Sequence, residues 1–202
     1  ARAPARFLRA GIGDGLSKTF EARQCAISGG LNFFDGRPTL AAQALADRCW
    51  EILREDAEQA LAACEAGAPD EALERVVEAA VLLSGLGFEN GGLSLTHALL
   101  RGLTAEPELA PRLHGELVAY ALLVQIEMEE RPAKVAADLR GFHRRIGLPC
   151  SLADLGGPEA TEALGLRVAE AALGAGYARN FQRKLEARDV AQAMLAVEAA
   201  AR

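Results

Sequence analysis

Asp14, His97 and His114 are the side chains of this 202-residue sequence whose types are best suited to metal chemistry. Two imidazoles and one carboxylate form a complete three-ligand set for a catalytic zinc ion, with the fourth position left for water or substrate. They are separated by 83 and 17 residues along the chain, which is not a recognisable metal-binding spacing. A single histidine on a helix is more often an ordinary core or surface residue than a ligand. The residue types therefore favour a zinc site without establishing one.

The local settings of two of the three histidines set them apart. His97 follows the glycine-rich stretch 85–92, which would let the backbone come close to another group before a helix begins. His114 follows two prolines and opens a long apolar segment, and Asp14 is the only carboxylate within the glycine-flanked stretch 11–15. Each candidate ligand thus lies within or just after a stretch rich in glycine or proline.

Composition predicts an all-α fold. Apolar residues make up 50% of the chain and aromatic residues only 5%, and alanine and leucine supply most of the apolar count. These residues favour closely packed helices over strands. Apolar periodicity, capping residues and glycine or proline breakers predict helices near 13–29, 40–66, 71–83, 92–103, 112–130, 132–146, 159–174 and 188–201. The length suits one helical domain over residues 1–202.

Charge and cysteine usage exclude several classes of protein. The net charge of -6 argues against a nucleic-acid partner, which would require clustered lysines and arginines. Four scattered cysteines indicate neither a disulfide framework nor a cysteine zinc site, so we expect a reducing, cytoplasmic location. The longest apolar run, 118–126, is about half the length of a membrane span and predicts a buried helix, with no membrane partner.

The chain contains no recognisable dinucleotide-binding fingerprint. Enzymes that bind NAD usually hold its pyrophosphate in a glycine-rich turn between a strand and a helix. Neither stretch 11–15 nor stretch 85–89 completes that pattern, and neither follows a readable strand. We therefore do not expect these 202 residues to bind NAD alone.

Three windows of the sequence resemble one enzyme family. They are GIGDGLSKTFEA at 11–22, SGLGFENGGLSLTHALLRGLT at 84–104 and HGELVAYALLVQ at 114–125. All three resemble the glycerol dehydrogenase branch of the iron-containing alcohol dehydrogenase superfamily, relatives of dehydroquinate synthase. Similarity continues through IGLPCSLADLG at 146–156, so the resemblance covers nearly the whole chain.

The resemblance implies that Asp14, His97 and His114 are the metal ligands. Iron-dependent relatives carry a further histidine four residues after the aspartate, where this sequence has Lys18. That difference favours Zn²⁺, although Fe²⁺ also accepts two histidines and one carboxylate. For Lys18 itself, the alternatives are an ordinary i,i+4 contact with Asp14 and a role in orienting that ligand carboxylate.

The substrate pocket departs from the family pattern. Leu100 and Arg101 stand where a His-Asn pair is common, and Leu117 stands where a lysine is common. Arg101 lies one helical turn after His97, so it either reaches the rim of the site, where it would suit an anionic substrate, or faces solvent. Phe88 either lines the pocket or packs beneath the glycine-rich segment.

The resemblance also implies a fold, a reaction and a partner. The fold would be the multi-helix metal-binding domain of the dehydroquinate synthase-like type, without the α/β nucleotide-binding domain that precedes it in the family. The reaction would be hydride transfer between glycerol, or another small polyol, and NAD, with zinc polarising the alcohol oxygen. NAD would be bound mainly by the nucleotide-binding domain or subunit, without which we expect this chain to be inactive.

Two other interpretations remain open. A related dehydrogenase could act on another substrate such as glycerol 1-phosphate, for which Arg101 is the one hint. A non-catalytic module could instead retain the helical fold for oligomer contacts. In either case we expect a homo-oligomer, because a face built to pack against a partner domain would be exposed.

Overall fold

A computed structural model describes residues 3–202, and within that range the protein contains helices and no strand. The all-α prediction is therefore confirmed. The described residues form ten α-helices: α1 (Ala5–Gly15), α2 (Lys18–Ile27), α3 (Leu40–Ala66), α4 (Glu71–Glu78), α5 (Ser84–Gly91), α6 (Leu95–Leu103), α7 (His114–Met128), α8 (Ala133–Ile146), α9 (Glu162–Leu173) and α10 (Ala187–Ala201). A π-helical turn (Ala79–Leu83) joins α4 to α5, and a 3₁₀ turn (Gly176–Arg179) follows α9.

Helix α7 lies at the centre of the molecule. Every residue of the run 117–126 is buried, and this helix packs against α1, α6, α8 and α10. The predicted buried helix at 118–126 is therefore confirmed. Among residues 3–202, no helix combines the length and the apolar character that crossing a bilayer requires.

Side-chain caps begin several helices where the sequence predicts them. The Thr39 hydroxyl accepts a hydrogen bond from the Ala42 amide at the start of α3, and the Asp70 carboxylate accepts one from the Leu73 amide at the start of α4. Such caps satisfy amide groups that have no partner within the helix. The predicted bounds of α3, 40–66, coincide with the observed helix.

The prediction for the first helix, 13–29, was wrong in both its start and its continuity. Helix α1 begins at Ala5, and the chain turns at 16–17 before α2 begins at Lys18. The Ser17 hydroxyl donates to the Asp14 carbonyl at 2.8 Å, which satisfies a carbonyl at the end of α1. Asp14 therefore stands in the last turn of one helix rather than in the first turn of another.

The glycine-rich stretch before His97 is a helix rather than an irregular approach. Helix α5 covers 84–91, and only Gly92, with φ of 88°, has the left-handed backbone that ends it. A Cβ at Gly87 would lie 3.3 Å from the Ala46 Cβ, and one at Gly91 would lie 2.8 Å from the Ala22 Cβ. These glycines therefore let α5 pack closely against α3 and α2.

Candidate metal centre

Three helices bring the three predicted ligands together. Asp14 lies in the last turn of α1, His97 lies in the first turn of α6, and His114 is the first residue of α7. The Asp14 Oδ1 atom lies 3.2 Å from His97 Nε2 and 3.6 Å from His114 Nε2. One ligand atom from each residue lies within 4.8 Å of the others. In the part of the chain that the structure describes, this is the one such group of histidine, cysteine or acidic residues.

Two glycines bring the helices of Asp14 and His114 into contact. A Cβ at Gly115 would lie 1.7 Å from the Ala10 carbonyl oxygen, and a Cβ at Gly13 would lie 2.5 Å from the Gly115 carbonyl oxygen. No larger residue fits at either position without separating α1 from α7. Each ligand therefore has as its neighbour in sequence the glycine that allows the two helices to approach.

Glu116 ties the start of α7 to α1. Its carboxylate accepts a hydrogen bond from the Leu113 amide at 3.1 Å, at the first turn of the helix. Arg6 on α1 donates two hydrogen bonds to the same carboxylate, at 2.8 and 2.9 Å. A bidentate arginine contact fixes direction as well as distance. This contact therefore helps to orient the turn that carries His114.

Glu21 is a site residue that the sequence analysis did not single out. Its side chain is fully buried, and its Oε2 atom lies 2.6 Å from His97 Nδ1. Its Oε1 atom accepts hydrogen bonds from the amides of Ser94 and His97, at 2.9 and 3.1 Å. No local signal marks Glu21, because its contact with His97 joins residues that lie 76 positions apart along the chain.

Gln125 also accepts hydrogen bonds from the first turn of α6. Its Oε1 atom accepts hydrogen bonds from the Thr96 amide and the Thr96 hydroxyl, both at 2.8 Å. Glu21 from α2 and Gln125 from α7 thus supply the acceptors that the start of this helix needs. Both side chains are buried, so the position of His97 depends on contacts across three helices.

Lys18 places a positive charge among the three candidate ligands. Its Nζ atom lies 2.8 Å from Asp14 Oδ1 and 3.3 Å from His97 Nε2, and its side chain is only 3% exposed. The ammonium group also lies 5.6 Å from the centre of the Phe88 ring. Lys18 therefore makes the i,i+4 contact with Asp14 and in addition contacts a second ligand.

The charges at the site shift the pKa values of its acids and of His97. Burial would raise the pKa of Asp14, but Lys18 and the two histidines outweigh burial and hold that pKa well below its usual range. Burial likewise opposes ionisation of Glu21, yet His97 keeps the pKa of Glu21 below its ordinary value. For His97, burial lowers the pKa and the Glu21 carboxylate raises it, and the net shift is upward. Both carboxylates are therefore anionic at neutral pH.

The remaining predicted residues have different surroundings. Phe88 packs edge-to-face against Phe33, with ring centres 5.5 Å apart, on the side of the site where Lys18 lies. Arg101 donates a hydrogen bond to the Gly174 carbonyl at 2.7 Å, at the end of α9. Leu117 is buried in the core. Phe88 thus adjoins the ligand cluster, whereas Arg101 is engaged at the end of another helix.

Comparison with known proteins gives relatives for both the sequence and the fold. The chain is 45% identical over 176 residues to a glycerol dehydrogenase of Escherichia coli O6:H1 (strain CFT073), a match that covers 87% of this chain and 48% of that protein. The structure of a probable glycerol dehydrogenase from Sinorhizobium meliloti 1021 superposes with a TM-score of 0.95 at 41% identity, over 99% of this chain and 57% of that one. The chain is a homologue of the glycerol dehydrogenases.

This homology confirms the resemblance described from the three sequence windows. The glycerol dehydrogenase homologue also shares its fold, with a TM-score of 0.68 at 19% identity, with an iron-containing alcohol dehydrogenase from Thermococcus thioreducens, covering 96% of this chain and 51% of that one. No model of a protein family matches the sequence. The chain spans about half the length of the curated relatives that it matches.

The donor set fits a divalent transition metal. Two imidazole nitrogens and one carboxylate oxygen are ligands that zinc and non-haem iron both accept. The His97 Nδ1 atom contacts a carboxylate, as is usual for a histidine whose other nitrogen binds a metal. His114 is 61% exposed at its side chain, so the cluster is open to solvent on one side. Asp14, His97 and His114 are therefore the residues that would hold the ion.

Proposed function

We propose that this chain supplies the metal-binding half of an NAD-dependent polyol dehydrogenase of the glycerol dehydrogenase type. The single observation that supports the proposal most strongly is the convergence of Asp14, His97 and His114 from three helices, with one ligand atom of each within 4.8 Å of the others. The homology to glycerol dehydrogenases supports the reaction class. The proposed substrate is glycerol or a closely related small polyol.

We propose zinc as the metal, with iron as the alternative. Two histidines and one carboxylate with an open fourth position form a catalytic zinc set. Lys18 stands where the resemblance to iron-dependent relatives would require a further histidine, and an ammonium group cannot serve as a ligand. When bound, zinc supplies Lewis-acid chemistry that favours loss of an alcohol proton or polarises a ketone, while the nicotinamide carries the hydride.

The side chains of this chain would bind and orient the substrate. The anionic Asp14 would offset part of the charge of the dication, and the two neutral imidazoles would each donate a lone pair. The exposed edge of His114 leaves an approach for a small hydroxyl compound from solvent. The Phe88 ring lies 5.6 Å from the Lys18 ammonium and would provide an apolar surface on that side of the site.

NAD is proposed to bind mainly to a separate α/β domain or subunit that packs against this helical unit. Residues 3–202 contain no strand, and a strand-to-helix turn is the usual platform for the pyrophosphate. The active site would then lie between the two parts, with the exposed side of His114 facing the nicotinamide. We also propose that the assembled protein is a homo-oligomer.

A chimera tests this function. The helical half of the Escherichia coli glycerol dehydrogenase would be replaced by this chain, and NAD reduction would be measured with glycerol and zinc. We expect glycerol-dependent NADH formation that is lost in the His97→Ala chimera. A chimera that folds and binds zinc, yet reduces NAD with none of a panel of small polyols, would contradict the proposed function.

The phosphorylated-substrate alternative loses its one hint from the sequence. Arg101 was the residue that suggested an anionic substrate, and its guanidinium donates to the Gly174 carbonyl. Comparing glycerol with glycerol 1-phosphate in the same chimera distinguishes the two substrates. The oligomerisation-module alternative predicts no bound metal, so the metal content of the purified chain separates it from the proposed function.

A further inference from the structure

The buried carboxylate of Glu21 divides its two oxygens between two tasks. Oε1 accepts hydrogen bonds from the amides of Ser94 and His97 at the first turn of α6, and Oε2 contacts His97 Nδ1. Because Oε1 is held by two backbone amides, the carboxylate cannot turn away from the ring. The same side chain thus fixes both the helix that carries His97 and the orientation of its imidazole.

We infer that Glu21 is the positioning residue that keeps His97 in the tautomer able to bind a metal. This inference rests on the proposed metal-binding function. An ionised carboxylate accepts hydrogen bonds and cannot donate them, so the proton of a neutral His97 ring must reside on Nδ1. Nε2 then carries the free lone pair, and it lies 3.2 Å from Asp14 Oδ1, within the ligand cluster.

The contacts of Lys18 agree with this tautomer. Its ammonium group can only donate, and it lies 3.3 Å from His97 Nε2. Nε2 thus faces both the Lys18 ammonium and the Asp14 carboxylate, whereas Nδ1 faces the Glu21 carboxylate at 2.6 Å. For a neutral ring, only the Nδ1–H form provides a donor for that shorter contact. The Glu21 side chain is fully buried, so water does not compete for the Nδ1 contact.

Replacement of Glu21 by glutamine separates orientation from packing. Glutamine has almost the same shape, but its amide offers one acceptor and one donor group where two acceptors are required. If the oxygen faces the backbone amides, the NH₂ group faces Nδ1 and selects the Nε2–H tautomer, which has no free lone pair on the nitrogen that faces the ligand cluster. If the amide is reversed, the NH₂ group opposes the amides of Ser94 and His97.

Gln125 provides a matched control. It accepts hydrogen bonds at the same first turn of α6, from the Thr96 amide and hydroxyl, and it is equally buried. The hydrogen bonds found for Gln125 do not include the His97 ring. Gln125→Ala should therefore weaken the helix start and the fold while leaving the tautomer of His97 unchanged.

The experiment titrates the metal-free chain with Zn²⁺ in competition with a chromogenic chelator, for the wild type, Glu21→Gln, Glu21→Asp and Gln125→Ala. Loss of a carboxylate that orients a ligand histidine typically weakens metal binding by about 10- to 100-fold. We expect a loss of that size for Glu21→Gln, partial recovery for Glu21→Asp, and less than about threefold change for Gln125→Ala. Nitrogen-15 NMR of the metal-free chain, at a pH above the raised pKa of His97, should place the His97 proton on Nδ1 in the wild type and shift it in Glu21→Gln.

The outcomes separate this inference from the proposed function. If the wild-type chain binds no zinc, the metal-binding function itself fails. If the wild type binds zinc and a folded Glu21→Gln variant binds it equally well, the positioning role is overturned while the function stands. Equal losses in Glu21→Gln and Gln125→Ala would reduce Glu21 to a helix cap and would also overturn the inference.

Discussion

The ammonium group of Lys18 is a cation placed within contact distance of two candidate metal ligands. It offsets the charge of Asp14, and it lies 2.8 Å from Asp14 Oδ1 and 3.3 Å from His97 Nε2. A dication held by the same two atoms would be repelled by an ammonium a few ångströms away. Lys18 therefore stabilises the cluster of Asp14 and His97 and would compete with a metal ion bound there.

Removing this charge should strengthen metal binding. We expect Lys18→Met to bind Zn²⁺ at least about tenfold more tightly, because two neighbouring cations repel strongly in a site screened from water. The measurement is the chelator competition described for Glu21. Weaker binding in Lys18→Met would instead mean that the lysine orients Asp14 as a ligand.

His143 should make the free energy of unfolding depend on pH, independently of the proposed metal site. It is fully buried, and burial outweighs a contact with the Pro149 backbone and lowers its pKa from 6.5 to about 3. Between these values the unfolded chain binds the proton and the folded chain does not. The free energy of unfolding is therefore unaffected by His143 above the unfolded-state pKa. It decreases as the pH falls below that pKa, by up to about 1.4 kcal/mol per pH unit.

An apolar replacement should remove that slope. Urea unfolding of the chelator-treated chain at pH 4 to 7 should show a flatter dependence in His143→Leu than in the wild type, with no loss of stability at pH 7. The flattening follows because leucine takes up no proton in the unfolded state. Parallel pH profiles for the two proteins would show that His143 has the same pKa in the folded and unfolded states and would contradict the prediction.

The three proposed ligands could be predicted from residue type and sequence windows, whereas Glu21 could not. Asp14 lies between glycines, His97 follows a glycine-rich stretch, and His114 follows two prolines. Glu21 resembles any acidic residue on an amphipathic helix, and its role depends on α6 beginning beside α2, which no local pattern encodes. The contact of Arg101 could not be predicted for the same reason, because its partner, Gly174, lies 73 residues away.

At the level of helices, the crossing of α1 and α7 sets the distance between Asp14 and His114. The backbones approach so closely that Gly13 and Gly115 have no room for a Cβ atom. Small changes at this crossing therefore act directly on the ligand geometry.

Gly115→Ala should separate the ligands and destabilise the fold. Its Cβ would lie 1.7 Å from the Ala10 carbonyl oxygen, so α1 and α7 must move apart. Overpacking of this kind costs about 1–3 kcal/mol or more, and we expect zinc binding to be lost in any protein that remains folded. The measurements are thermal unfolding and zinc content.

Gly85→Ala is the matched control for this substitution. A Cβ at Gly85, which also lies within a helix, meets nothing within 4 Å. Alanine there should leave zinc binding unchanged and stabilise the chain by about 0.5–1 kcal/mol, the usual gain within a helix. If Gly115→Ala behaves like Gly85→Ala, the close helix crossing does not control the site.

The sequence predicts most helices well and fails where glycine has a packing role. Caps and breakers locate α3 and α4, because these signals are local. Stretch 85–92 looked like a loop, since glycine has low helix propensity. Packing against α2 and α3 overrides that propensity, and the sequence does not reveal which surface a glycine will meet.

For the molecule as a whole, the exposed apolar surface predicts self-association. Phe33, Phe34 and Leu40 are 67%, 63% and 92% exposed, and Phe33 packs against Phe34 and Phe88 beside the proposed site. Large exposed apolar patches usually mark contact surfaces. We therefore expect the isolated chain to form oligomers.

Light scattering after gel filtration measures that association. The double variant Phe33→Ser with Phe34→Ser should shift the chain toward the monomer mass, because the aromatic area available for contact is lost. Val81→Ser is the control, since this exposed valine lies on the π-helical turn. A wild-type chain that stays monomeric across a wide concentration range would contradict the expectation.

The most direct test of the whole account is the position of a metal ion in a crystal of the chain grown with Zn²⁺. Anomalous diffraction at the zinc edge should give one dominant peak about 2.0–2.2 Å from an Asp14 oxygen and from one nitrogen each of His97 and His114. The His97 ligand atom should be Nε2. A dominant peak bound elsewhere, or no peak between these three side chains at saturating zinc, would contradict the central claim.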